Sequence, residues 1–213
     1  MLKINGVPAR IWGKESGLVY VYVHGLNGSK DDAQAFAQLA ERYGVQVLSV
    51  DVRNFDPVST LPELDGVYSF AAERWSSVSL YGVSLGAWYS MVCFRDKPIA
   101  RTMLVSPVVS MKALIERMMA AANVTSEQLQ EQGTIETLSW EYYSFACANE
   151  LTHWDSPTRI VYAEHDDIVP RNEVDSFAAK FGASLQVMPE GEHWFHTPEQ
   201  LHFLRNWEEE NLA

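Results

Sequence analysis

Short runs of β-branched and aromatic residues alternate along this sequence with longer stretches of helical periodicity, a rhythm that few architectures satisfy. Leu18-Val19-Tyr20-Val21-Tyr22-Val23 reads as a strand ending at Gly25. A helical pattern follows from about Asp31 to Tyr43, with Phe36, Leu39 and Ala40 on one face and Gly44 as its stop. Val45 to Val50, Val78 to Tyr81, Thr102 to Val105, Arg159 to Ala163 and Ser184 to Met188 read as further strands. They are apolar almost without interruption, as a sheet covered on both faces requires. The expected class is α/β, a mostly parallel central sheet flanked by helices.

Residues 107–157 break the rhythm. Met111, Leu114, Ile115, Met118 and Met119 form a helical stripe, and Leu129, Ile135 and Leu138 follow, so this stretch is expected to be a short helical cap inserted between strands. Pro198 to Trp207 reads as a closing helix, with Glu208-Glu209-Glu210 as its solvated tail. No repeat, low-complexity tract or linker divides the chain. Its 213 residues suit one domain over 1–213 with the 107–157 insert inside it.

Hydrophobic residues make up 47% and charged residues 21%, which excludes a disordered chain. The net charge of −12 repels phosphate backbones and anionic lipid heads, so neither nucleic acid nor membrane is an expected partner. No apolar run is long enough to span a bilayer, and no secretory signal is visible, so the expected location is the cytoplasm. The glycosylation patterns at Asn27-Gly28-Ser29 and Asn123-Val124-Thr125 are therefore discounted. Cys93 and Cys147 have neither metal-ligand nor redox spacing and are expected to be free, buried thiols. A homodimer is left open.

The strongest chemical signal is Gly82-Val83-Ser84-Leu85-Gly86, placed between the strand ending at Tyr81 and a helix pattern from Leu85 to Phe94. A turn this tight forces Ser84 into a strained backbone conformation, and side chains at positions 82 and 86 would collide with neighbouring backbone. The strain holds the Ser84 hydroxyl above the C-terminal edge of the sheet, where open α/β sheets bind ligands. A serine hydroxyl is a weak nucleophile and needs a base beside it. His193, in Gly191-Glu192-His193-Trp194-Phe195, follows the last strand and overhangs the same edge. His196 is its local rival, whereas His202 falls within the closing helix. The base in turn needs a carboxylate to fix its tautomer and stabilise the imidazolium. Asp166 lies just beyond the strand Arg159 to Ala163, with Asp167 as the alternative beside it.

With these residues in view, the chain resembles the α/β-hydrolase superfamily of serine esterases and lipases, in a small-cap form, over nearly its whole length from about Leu18. The order Ser84, Asp166, His193 is that family's order. Asp166 with Val169-Pro170 matches its pattern around the acid, although Ala163 stands where the family commonly has glycine. His24-Gly25-Leu26-Asn27-Gly28-Ser29 matches its His-Gly turn after the third strand. Asp51-Val52-Arg53-Asn54 resembles its Asp-Leu-Arg-Gly stretch, with Asn54 in place of glycine. The resemblance implies an oxyanion hole formed by the backbone N–H groups of Leu26 and Leu85, each donor of this kind being worth about 3 kcal/mol of barrier.

The implied activity is hydrolysis of a carboxylic ester of small or slim acyl group through an acyl-enzyme, with a small-molecule acyl substrate and no cofactor or metal. Trp88, Met111, Met118, Trp140 and Trp194 are candidates to line the substrate pocket, against the simpler reading that they pack the core. Thioester and amide substrates share the same chemistry and stay open. An aminopeptidase-like enzyme would want carboxylates at the pocket mouth, for which Glu116, Glu141 and Glu150 are candidates. A non-catalytic ligand-binding relative would typically lack one of the three residues, and all are present. A zinc site from Glu192, His193 and His196, with His165-Asp166-Asp167 adding further ligands, is the rival chemistry. Zinc sites built on helices usually place histidines four apart on one face, which this spacing misses.

Overall fold

The computed structural model describes residues 2–212, leaving Met1 and Ala213 outside the described residues. Asn5-Gly6, with φ of +48° and +87°, makes the two-residue turn that joins β1 (Leu2–Ile4) to β2 (Val7–Trp12) as an antiparallel hairpin. The chain continues through β3 (Leu18–Val23), a 3-10 turn at Lys30–Ala33, α1 (Gln34–Arg42) and β4 (Gln46–Val50). It proceeds through α2 (Thr60–Arg74), β5 (Ser77–Val83), α3 (Ser84–Phe94) and β6 (Thr102–Val105). The 107–157 region then holds α4 (Met111–Ala121), α5 (Ser126–Gln132), a small hairpin of β7 (Thr134–Ile135) and β8 (Leu138–Ser139), and α6 (Trp140–Ala148). The final run is β9 (Thr158–His165), α7 (Arg171–Phe181), β10 (Ser184–Glu192) and α8 (Pro198–Leu212).

Eight strands form one sheet in the order β1-β2-β4-β3-β5-β6-β9-β10. Pairing is parallel from β4 to β10 and antiparallel only at the β1-β2-β4 edge. Because side chains alternate across a strand, each strand feeds two cores. Val19, Val21, Leu80, Leu104, Ile160 and Tyr162 face α2, α3, α7 and the insert. Tyr20, Tyr22, Tyr81, Met103, Val161 and Ala163 face α1 and α8. Helix α3 is buried nearly all round, since it lies between the sheet and both α2 and the insert.

Several expectations are corrected here. The helix foreseen from Asp31 begins as a 3-10 turn capped by Ser29. Strand β10 runs on past Met188 to Glu192 through an irregularity that includes Glu190 at φ +55°. Helix α8 does not end in a solvated acidic tail: it continues to Leu212, and Glu208 is 4% exposed, facing the sheet. Cys147 is exposed on α6; Cys93 is partly buried, and burial pushes its thiol up to about 11. Among the described residues no helix is long and apolar enough to cross a membrane.

Candidate active site

Strand β5 ends at Val83 and α3 starts at Ser84, so the chain reverses within one residue. Ser84 takes φ +47°, a left-handed conformation that a side-chain-bearing residue adopts only at a cost of about 1–3 kcal/mol. The flanking glycines permit it. A Cβ on Gly86 would lie 2.1 Å from the His24 carbonyl oxygen, and one on Gly82 would lie 2.7 Å from Ala87 Cα. Ser84 is thus the first residue of a helix, where unpaired N–H groups and the helix dipole favour negative charge.

The Ser84 hydroxyl meets His193 Nε2 at 2.8 Å, and His193 Nδ1 meets Asp166 Oδ2 at 2.7 Å. The Asp166 side chain is fully buried and that of His193 is 12% exposed. The other carboxylate oxygen, Asp166 Oδ1, accepts the N–H of Ile168 at 2.9 Å and of Val169 at 2.8 Å. Three donors therefore hold one buried carboxylate, and the tight turn after β9 is closed on its own side chain. Below it, the Tyr162 hydroxyl donates to Val169 O at 2.7 Å. With Asp166 accepting at Nδ1, the imidazole presents Nε2 to Ser84 as an acceptor, the tautomer a base requires.

The neighbours of these residues look elsewhere. Asp167 is exposed and makes no side-chain bond of this kind. His196 is exposed, stacks on Trp194 with ring centroids 5.0 Å apart and places Nδ1 2.7 Å from Trp194 O. His193 has both ring nitrogens committed within the trio, and Glu192 is exposed. Among the described residues the acidic and histidine ligand atoms that cluster closely belong instead to Glu164, His165 and Glu190, all exposed.

The turn after β3 closes against Ser84. Gly28 N–H donates to Gly25 O at 3.1 Å, with Asn27 at φ +61°, leaving the Leu26 N–H outside the turn's own bond. A Cβ on Gly25 would stand 3.2 Å from Ser84 Cβ, tight enough that Ser84 or the turn would have to give by a few tenths of an ångström. Buried His24 braces it: Nε2 accepts the Val52 N–H at 3.1 Å, which leaves Nδ1 to donate to Gly25 O at 2.6 Å. The Leu85 N–H lies in the first turn of α3, where no helical carbonyl is available to it.

The five expected pocket residues divide. Trp88 is 1% exposed and packs edge-on against Tyr89 and Phe145 at 4.9 and 5.9 Å, and Met111 is buried on the inner stripe of α4. Both belong to the core cluster and are almost closed to solvent, so the simpler reading of them as packing residues fits better. Trp140 is half-buried against Tyr143. Met118 and Trp194 are 42% and 75% exposed. Of the insert's carboxylates, Glu116 accepts from the Tyr143 hydroxyl at 3.0 Å and Glu150 pairs with Lys112 at 3.6 Å.

Some contacts at the site had no local motif to announce them. Tyr89 of α3 and Tyr142 of α6 both donate to Phe55 O, at 2.6 and 2.8 Å, joining α3 and the insert to the loop after β4. Arg117 of α4 reaches the turn that carries Asp166, donating to Ile168 O at 2.9 Å. Only the three-dimensional fold brings these residues together.

No protein-family model matches the sequence, and no curated protein matches it. Solved structures do. Est1E from Butyrivibrio proteoclasticus superposes with a TM-score of 0.73 at 17% identity, covering 98% of this chain and 94% of that one. An alpha-beta serine hydrolase homologue from Coxiella burnetii gives 0.68 at 21%, covering 97% and 92%. A monoacylglycerol lipase from Paleococcus ferrophilus gives 0.71 at 15%, covering 97% and 98%. With the strand order, the turn at Ser84 and these near-complete superpositions together, the chain has the α/β-hydrolase fold.

Proposed function

We propose that this chain is a serine hydrolase that cleaves a carboxylic ester of small or slim acyl group through an acyl-enzyme on Ser84. The observation that carries this reading is the continuous path from Ser84 Oγ through His193 to the buried carboxylate of Asp166. In that geometry His193 Nε2 takes the Ser84 proton as Oγ bonds to the ester carbonyl carbon. The carbonyl oxygen becomes an oxyanion, which the N–H groups of Leu26 and Leu85 are proposed to receive. His193 then gives its proton to the leaving alcohol as the carbon–oxygen bond breaks, and the acyl group stays on Ser84. Water repeats the sequence in reverse order of roles: His193 accepts its proton, the acid departs, and Ser84 regains its hydrogen.

Similar folds support an ester substrate. One is a monoacylglycerol lipase, and a structure of Est1E, with a TM-score of 0.72 at 15% identity, has ferulic acid bound. The insert adds a physical limit, because Trp88 and Met111 fill the space beneath it with core. Short or aromatic acyl groups are therefore expected to react faster than long chains.

The test is hydrolysis of p-nitrophenyl acetate and butyrate by wild type and Ser84→Ala, with labelling by a reactive phosphonate. Wild type should turn over and take up one label at Ser84, while the folded variant should do neither. A Ser84→Ala protein retaining about a tenth of the activity would remove Ser84 as nucleophile. A panel of esters, acyl-CoA thioesters and aminoacyl amides fixes the bond cleaved, and faster amide turnover would replace the esterase reading with a peptidase.

A further inference from the structure

One side chain of helix α4, in the insert, reaches the acid-bearing turn. Arg117 forks: Nη1 pairs with Glu173 on α7, and Nη2 donates to Ile168 O at 2.9 Å. The Ile168 carbonyl and the Val169 N–H are the two ends of a single peptide plane, which is rigid. The N–H end of that plane donates to Asp166 Oδ1 at 2.8 Å. Thus an arginine grips one end of a peptide whose other end grips the carboxylate that contacts His193. A cation on the carbonyl also polarises the amide, strengthening the N–H as a donor.

Other supports of the turn come from within the same segment or just beneath it. Asp166 N–H donates to Ala163 O at 3.2 Å, and Tyr162 holds Val169 O. Neither fixes the Ile168 carbonyl. The Ile168 side chain is 41% exposed. Glu173, meanwhile, has its second oxygen Oε2 buried without a partner, so its Oε1 depends on Arg117. That dependence orients the guanidinium, leaving Nη2 to point at Ile168.

We propose that Arg117 is a positioning residue for Asp166: it sets the plane of the Ile168–Val169 peptide and so the carboxylate that orients His193. The proposal rests on the reading of Ser84, His193 and Asp166 given above. Its effect is on turnover, since Arg117 itself does not touch the nucleophile.

The experiment compares Arg117→Gln, Arg117→Lys and Glu173→Gln with wild type on p-nitrophenyl acetate, each also in the Asp166→Asn background, with Ser84→Ala as a control. Arg117→Gln should lower kcat by about 10- to 100-fold, the scale of a small misplacement, with KM little changed. Arg117→Lys keeps the charge beside Glu173 but lacks the planar fork, so it should recover thermal stability and only part of kcat. Glu173→Gln weakens the pair that orients the guanidinium, so it should lower kcat in the same direction as Arg117→Gln but by less. In the Asp166→Asn background Arg117→Gln should add no further loss, because both act through one carboxylate. Should Arg117→Gln fail to fold, Arg117→Lys decides alone. Wild-type kcat in the folded Arg117 variants, or a loss that multiplies in full onto Asp166→Asn, overturns the proposal. An active Ser84→Ala protein would instead overturn the reading of the site, so the two failures are distinguishable.

Discussion

Tyr81 and Glu208 meet inside the protein, the phenol donating to Glu208 Oε1 at 2.6 Å where α8 lies on the sheet. Tyr22 stacks on Tyr81 with ring centroids 5.1 Å apart, and Arg205 is the cation nearest in effect to the carboxylate. Desolvation dominates here. Burial pushes the Glu208 carboxyl from its ordinary 4.5 up to about 7, although Tyr81 and Arg205 both oppose the shift.

The sign of the resulting pH dependence follows from linkage. Between those two values the folded protein keeps a proton that the unfolded chain has released. The stability from this group is complete below pH 4.5 and is lost as pH rises through about 7. Glu208→Gln should therefore gain on wild type as pH is raised from 5 to 8, by about 1–3 kcal/mol in chemical denaturation. Parallel curves for the two proteins across that range would show that Glu208 does not titrate there.

Neighbouring pairs separate the proposed triad from its surroundings. Asp166→Asn should keep the fold and lower kcat by about a thousandfold or more, because an amide can hold the imidazole in the wrong tautomer. Asp167→Asn, on an exposed side chain, should do little. His193→Ala should match Ser84→Ala in severity, whereas His196→Ala should be tolerated. Steady-state kinetics on p-nitrophenyl butyrate measure all four, and a more crippling change at Asp167 or His196 would mean that the register is wrong.

Gly86→Ala should be disproportionately damaging for a single methyl group. The added carbon would lie within 2.1 Å of the His24 carbonyl oxygen and 2.8 Å of that of Val23, both rigid backbone. Relief requires β3 and α3 to separate, at about 1–3 kcal/mol or more, and displaces both Ser84 and the turn after β3. Urea denaturation and phosphonate labelling should fall together. A stable variant that labels at the normal rate would contradict the packing described.

Two tryptophans offer the opposite contrast. Trp88→Ala empties a core position and should cost about 3–5 kcal/mol. Trp194→Ala removes a largely exposed ring next to His193 and should change stability by no more than about 0.5 kcal/mol. If Trp194 contacts substrate, its loss appears in KM for aromatic esters. Thermal denaturation of the two variants distinguishes them directly.

The parallel strands were legible because Leu18–Val23 and Thr102–Val105 are apolar on both faces, and their bounds coincide with β3 and β6. Ser84, Asp166 and His193 were legible because each follows a strand at the same sheet edge, so strand order alone nearly assembles them. Other elements carry weaker local signals. Helix α2 contains Pro62 and Gly66, which mask its periodicity. The β1–β2 hairpin, turned at Asn5-Gly6, was not foreseen, since β1 has only three residues and β2 carries Pro8 and Arg10 in place of an apolar run. Trp88 and Met111 show that an aromatic or Met stripe does not reveal whether it faces a ligand or the core. Glu208 reads as solvated beside Glu209 and Glu210, and only its contact with Tyr81, 127 positions away, makes it buried.

Ser84 stands at the end of β5 in the middle of the sheet, whereas His193 follows β10 at the sheet's far edge, 109 positions later. A folding chain that has built β3 to β6 already displays the serine, yet it has no base to activate it. Nor can the carboxylate help early, since β9 must dock before β10 can pair with it. On the proposed mechanism, reactivity is thus withheld until the outermost strand closes. During refolding, ester turnover should lag the return of helical signal, so that the hydroxyl stays inert while the chain is still incomplete.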